Sequence, residues 1–226
     1  MLLLEDKLAK YKKLYIPSKL GGIIDEEDYL DVDEVGYDAY HIGALDWSHG
    51  VSKMAIIDKD STYVLKIPFN VEWNAAWDCE NETYDYDNAY ANYFDCDYCA
   101  LEAEIYEIFK DAGFGCFLAR TKFYDECSSG WMTVQERCYH IGERRSSKET
   151  REALKVFKSK EYDYIGITMP IDLFGSFVEA YGLDLTLKFI QFCRENDYNI
   201  LDDLHSGNYG YRADGTPCII DFSSWR

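Results

Sequence analysis

The stretch from Asp202 to Phe222 constrains this chain more than any other. It opens as Asp202-Asp203-Leu204-His205-Ser206-Gly207-Asn208 and closes as Cys218-Ile219-Ile220-Asp221-Phe222. That is a polar loop, a tight turn and a short apolar strand ending on a carboxylate. Asp203, Asn208 and Asp221 carry side-chain oxygens at separations of 208 − 203 = 5 and 221 − 203 = 18 residues. Two carboxylates and a carboxamide are hard ligands, suited to Mg2+ held between protein and phosphate groups. Gly207 and Gly210 serve the turn, His205 is placed to brace the loop through its ring nitrogens, and Asp202 reads as a cap or loop stabiliser.

Upstream, the pattern from about residue 40 predicts an antiparallel meander. Ser48-His49-Gly50-Val51-Ser52-Lys53 leads into Met54-Ala55-Ile56-Ile57, a polar turn follows at Asp58-Lys59-Asp60, and Ser61 to Pro68 forms the next strand. The glycine loop is either an ordinary hairpin or one whose backbone N–H groups lie over phosphates. In the second case Gly50 permits close approach and Ser52 offers a hydroxyl. Lys66 sits in the apolar strand VLKIPF, where burying an ammonium is costly, so it is either solvated at an edge or matched to an anion. Residues 71–99 read as an insertion or a long lead-in to a helix.

Ala100 to Lys110 predicts a helix, apolar at Leu101, Ile105, Ile108 and Phe109 and ended by Gly113. Two further strands, Phe117 to Tyr124 and Trp131 to Arg137, flank a turn at Ser128-Ser129-Gly130. Residues 139–165 read as a linker with a solvated helix from about 148 to 158. Leu183 to Asn196, apolar nearly all round, predicts a buried helix directly before the loop. At the other end, residues 1–20 predict a short amphipathic helix and residues 23–38 an acidic connector.

In this order the motifs resemble those of protein-kinase-like phosphotransferases. DLHSGN and then IDF are similar to the catalytic loop and metal-binding segment. The DLH form looks more like aminoglycoside-phosphotransferase-type and other atypical small kinases than like ordinary protein kinases. VLKIPF resembles the strand that carries the ATP-binding lysine, and VQERC the strand that runs into the hinge. The resemblance implies an α+β, bilobal protein-kinase-like fold. A five-stranded antiparallel N-lobe at 40–138 would follow an N-terminal extension at 1–39 and precede a reduced, mainly helical C-lobe at 139–226.

It also implies ATP and Mg2+ as cofactors. Asp203 would orient or deprotonate an acceptor hydroxyl, and Asn208 and Asp221 would hold the metal. Lys66 would meet the phosphates, held by Glu102 or, in the alternative register, Glu104; without Lys66 either would read as a solvated helix-face glutamate. Gly50 and Ser52 would cover the phosphates, and backbone groups near Glu136, Arg137 and Cys138 would meet the adenine edge. The sequence departs from the pattern at Asp221-Phe222-Ser223, where DFG is usual, and it ends 226 − 221 = 5 residues later. The expectation is therefore a scaffold without an activation segment: either a minimal kinase acting on a hydroxyl of a protein or small molecule, or an inactive kinase-like module that binds a partner.

Composition narrows the partners. A formal charge of −19 repels nucleic-acid phosphates and anionic membranes. There is no apolar run of about 18 residues, and the start, Met1-Leu2-Leu3-Leu4-Glu5-Asp6-Lys7, lacks the basic segment of a secretory signal. Eight cysteines are then expected to be reduced thiols in the cytoplasm. Cys96-x-x-Cys99 invites a third reading, metal or redox chemistry, but no second such pair follows.

Overall fold

A computed structural model describes residues 8–14, 32–49, 53–59, 61–68, 71–78, 83–93, 97–127, 130–139, 169–202, 204–205 and 207–222. The helix expected at 148–158 lies outside them, as do Gly50, Ser52, Cys96 and Asp203. The chain divides into two units, Met1–Ala103 with Thr121–Gln135, and Glu104–Arg120 with Glu136–Arg226. Residues 104–120 thus group with the second unit.

The first unit is built on a five-stranded antiparallel sheet in the order β1-β2-β3-β7-β6. Its strands are β1 (Ala44–His49), β2 (Lys53–Asp58), β3 (Tyr63–Pro68), β6 (Thr121–Cys127) and β7 (Gly130–Glu136). Between β3 and the next helix, β4 (Val71–Asp78) and β5 (Thr83–Tyr93) form a separate two-stranded hairpin, so residues 71–93 are an insertion.

Strand alternation sorts the side chains by face. Met54, Ile56, Leu65, Ile67, Met132 and Val134 form one buried layer with Leu8, Tyr11, Leu14, Val35 and Ala39. The last five come from a 3-10 turn, Ala9–Lys13 with its flanking leucines, and from helix α1 (Val32–Ile42). Part of the expected acidic connector is therefore helical, and its apolar residues complete the sheet's core. Gly36 of α1 lies so close to the Trp47 ring of β1 that a Cβ there would overlap it.

Helix α2 (Tyr98–Asp111) starts on Asp97, whose Oδ1 accepts the N–H groups of Cys99 at 3.0 Å and Ala100 at 2.9 Å, a side-chain N-cap. The other oxygen of Asp97 accepts the Trp131 N–H of β7. Gly130, at φ +144°, leaves room for that carboxylate where a Cβ would collide with it.

The second unit is packed around aromatic rings. Phe117 stacks on Phe189 at 4.2 Å, and Phe109 meets Phe192 and Tyr198 edge-on, each at 5.0 Å. Helices α3 (Ile171–Tyr181) and α4 (Leu183–Glu195) supply much of this layer. The expectation for α4 is corrected in one respect: Thr186, Leu187, Phe189, Ile190 and Cys193 are buried, but Asp184, Lys188 and Gln191 face out. A 3-10 turn, Asn199–Leu201, leads into the loop, and β8 (Tyr209–Tyr211) pairs with β9 (Pro217–Ile219) as a short hairpin.

Candidate functional site

In the first unit, Lys66 and Lys53 converge on one carboxylate. Lys66 Nζ lies 3.0 and 2.8 Å from the two oxygens of Glu102, and Lys53 Nζ lies 2.7 Å from Oε1. Relative exposure is 6% for Lys66, 7% for Lys53 and 0% for Glu102, so all three charges sit in a low-dielectric setting. The sheet register explains the meeting. Lys66 pairs with Ala55, Lys53 is two residues before Ala55, and residues two apart share a face. That face is opposite the Met54 and Ile56 layer.

The helix register selects Glu102 over Glu104: Glu102, Ala103, Ile105 and Phe109 are buried, while Glu104 is exposed. Ile108, expected on the apolar face, is 41% exposed. Lys53 is a functional candidate that sequence reasoning missed. The signal for it is strand parity, which becomes usable only once the β2–β3 register is known. Gly50 and Ser52, the predicted phosphate-loop residues just before Lys53, lie outside the described residues.

In the second unit, the loop after α4 is drawn together by backbone bonds. The Asn208 carbonyl accepts the N–H groups of Ile220 at 2.8 Å and Asp221 at 3.3 Å, which sets Asn208 beside Asp221 across the mouth of the β8–β9 hairpin. Asn208 is buried, Asp221 half-buried, and Leu204 and Phe222 anchor the loop from within. His205 braces the turn: its Nδ1 accepts the Gly207 N–H at 3.0 Å. Asp203, the predicted catalytic residue, lies outside the described residues, between the described Asp202 and Leu204.

At the end of β7 the Glu136 side chain has a larger part than its backbone suggested. Its carboxylate accepts the Arg120 N–H and Nε, each at 2.8 Å, and Arg212 Nε at 2.7 Å. Burial by itself would raise this carboxyl, but the hydrogen bonds from Arg120 and the charge and hydrogen bond of Arg212 outweigh it and hold Glu136 below its ordinary value. Arg212 also donates to the carbonyls of Leu118 at 2.8 Å and Cys116 at 3.1 Å, and to the Tyr181 hydroxyl at 3.0 Å.

The Glu136 N–H is used by the Arg120 carbonyl, and Tyr139 exchanges both backbone bonds with Tyr211. Among the described residues neither the Arg137 nor the Cys138 N–H has an acceptor, so both donors remain of the groups expected to face an adenine edge. The Cys138 sulfur lies 3.1 Å from that of Cys218.

The metal-or-redox reading of Cys96 and Cys99 finds no geometric support in the described partner. Cys99 is fully buried, and burial pushes its thiol well up, which makes it a core filler. Among the described residues no group of three or more His, Cys, Asp and Glu side chains is placed to hold a metal, and no helix is long and apolar enough to cross a membrane. Compared with known proteins, the chain matches no family model, no curated sequence and no solved structure.

Proposed function

We propose that this chain is an ATP- and Mg2+-dependent phosphotransferase of minimal, atypical kinase type with a bilobal fold, acting on a hydroxyl of a protein or small molecule. The observation that carries the reading is the buried Lys66–Glu102 ion pair. A strand lysine oriented by a helix glutamate is the arrangement that lets an ammonium neutralise nucleotide phosphates. Asn208 and Asp221, adjacent at the hairpin mouth, supply a carboxamide and a carboxylate for Mg2+. Bound Mg-ATP supplies the phosphoryl group, and the residues supply position and charge.

Lys66 compensates phosphate charge while Glu102 holds it, and Lys53 adds a second ammonium to the same cluster. Gly50 and Ser52 cover the phosphates through the loop that precedes Lys53. Backbone groups near Glu136, Arg137 and Cys138 face the adenine edge. Asp203 orients the acceptor hydroxyl and takes its proton.

The experiment is transfer from γ-labelled ATP, with and without Mg2+, for wild type, Asp203→Ala and Asp221→Ala, alongside a thermal-shift titration. Expected are Mg-ATP-dependent stabilisation of the wild type and turnover that falls by at least about a hundredfold in each variant. Stabilisation without turnover would replace the enzyme with the inactive kinase-like module that binds a partner, which Asp221-Phe222-Ser223 also allows. Neither stabilisation nor turnover would sink the nucleotide reading.

A further inference from the structure

We propose that Cys138 and Cys218 are a site of reversible oxidative modification, forming an intramolecular disulfide that cross-links the end of β7 to the β8–β9 hairpin. Their sulfurs are 3.1 Å apart although 80 residues separate them in sequence. Closing to covalent distance requires an approach of about 1 Å. The carriers of the two side chains are already tied to each other. The Tyr139 N–H donates to Tyr211 at 2.8 Å, and the Tyr211 N–H returns the bond at 2.9 Å. Tyr211 pairs with Pro217, the residue before Cys218. A Cβ at Gly210 would lie 3.1 Å from the Cys138 Cβ, so the hairpin backbone runs close beside this cysteine.

The two thiols differ in access, which assigns their order of reaction. Cys138 is partly exposed and Cys218 is fully buried. The Cys138 sulfur also lies 3.6 Å from the Glu136 carbonyl. Cys138 is therefore the group that an external oxidant reaches, and Cys218 the group that resolves the adduct. Cys99 and Cys193 are buried, and neither they nor Cys116 have another described cysteine in contact.

The oxidant class is a low-molecular-weight disulfide. Cys138 gives its proton to solvent, and its thiolate attacks one sulfur of the external disulfide, breaking that S–S bond and releasing one thiolate. The Cys218 sulfur then attacks the Cys138 sulfur of the mixed disulfide. Its proton goes to the second leaving thiolate. In balance, two protein thiols are oxidised and one external disulfide is reduced to two thiols.

The test uses the full chain in native buffer, treated with oxidised glutathione, quenched by alkylation and mapped by peptide mass spectrometry. Expected is one linked peptide pair, Cys138 with Cys218, reversed by dithiothreitol. Oxidised protein should also melt higher than reduced protein by on the order of 10 °C, the stabilisation of closing a loop of this length. Cys218→Ser should stop at the glutathione adduct on Cys138, and Cys138→Ser should leave Cys218 unmodified. A stable glutathione adduct on Cys138 in the wild type, or a Cys138 link to any other cysteine, would overturn the proposal. So would persistence of both free thiols. The mapping needs no nucleotide, so its failure leaves the phosphotransferase reading standing, and loss of that reading leaves the disulfide standing.

Discussion

Two lysines on one buried glutamate make an asymmetric prediction. Removing either lysine leaves the other still paired with Glu102, whereas removing Glu102 takes the shared carboxylate from both ammonium groups. Lys53 Nζ is 2.7 Å and Lys66 Nζ 3.0 Å from the same oxygen, so they lie at most 2.7 + 3.0 = 5.7 Å apart. At an effective dielectric constant near 20, two unit charges at that separation repel by about 3 kcal/mol. The lysine variants Lys53→Met and Lys66→Met lose charge-assisted hydrogen bonds, a cost of roughly 1.5–3 kcal/mol. Glu102→Met loses the bonds of both lysines and adds the repulsion, for about 6 kcal/mol or more.

Urea unfolding of the three variants measures this directly, since one unfolding slope throughout would show that only stability changes. Glu102→Met should exceed either lysine variant by at least about 2 kcal/mol. A Glu102 variant as stable as the lysine variants, or more stable, would refute the shared-carboxylate account. The double variant Lys53→Met with Glu102→Met sharpens the comparison. It removes the repulsion while keeping the lost pair, and so should recover part of the Glu102→Met deficit.

Gly36→Ala should destabilise the chain by about 1–3 kcal/mol, because the new methyl overlaps the Trp47 ring; companion Trp47→Leu should relieve much of that cost in the same melts. Glu136 has a depressed folded value, so its contribution is present above its unfolded value near 4.5 and is lost as pH falls through the folded one. Stability measured against pH should therefore drop less steeply below about pH 4.5 in Glu136→Gln than in wild type, while Glu136→Gln is the weaker of the two at pH 7. Arg212→Lys should cost about 3 kcal/mol or more, since an ammonium cannot reach Glu136, the Leu118 and Cys116 carbonyls and Tyr181 together; a variant within about 0.5 kcal/mol of wild type by urea unfolding would contradict that account.

The sheet was legible because its strands announce themselves locally. Met54-Ala55-Ile56-Ile57 and Val64-Leu65-Lys66-Ile67 are β-rich runs bounded by turn residues, and they are β2 and β3 in the structure. What stayed hidden is everything set at long range. In sequence the 3-10 turn of Ala9–Lys13 and helix α1 read as an extension packed on the main body or leading into it, because no local pattern says that Tyr11, Val35 and Ala39 join Ile56 and Leu65 in one core. The hairpin of β4 and β5 is equally opaque: Trp73, Trp77 and the tyrosines after Thr83 fit strands as well as an aromatic helix lead-in. Even the α4 error has a local cause. Phe192 and Leu185 blur the polar stripe that Asp184, Lys188 and Gln191 make visible only when its 3.6-residue repeat is counted.

The site divides in the same way, and the division is informative about where this acidic chain places its few cations. Lys66 was readable because a lysine inside VLKIPF is conspicuous; Lys53 was not, because it stands at a strand edge after polar residues. Arg120 and Arg212 are 92 positions apart in the chain (212 − 120) and look like ordinary surface charges, yet both close on Glu136. Lys10 joins Tyr11 at the buried Asp58 by the same logic. In each case a carboxylate taken out of water must be matched, and leaving it unmatched would cost several kcal/mol. Among the described residues, Glu102 and Glu136 each meet two cations, while Asp58 meets one cation and a hydroxyl. Sharing of one acid by two bases is what a solvated salt bridge has no need of. Under the phosphotransferase proposal it is the Lys53, Lys66 and Glu102 cluster, and not the Glu136 one, that stands beside the glycine loop in sequence.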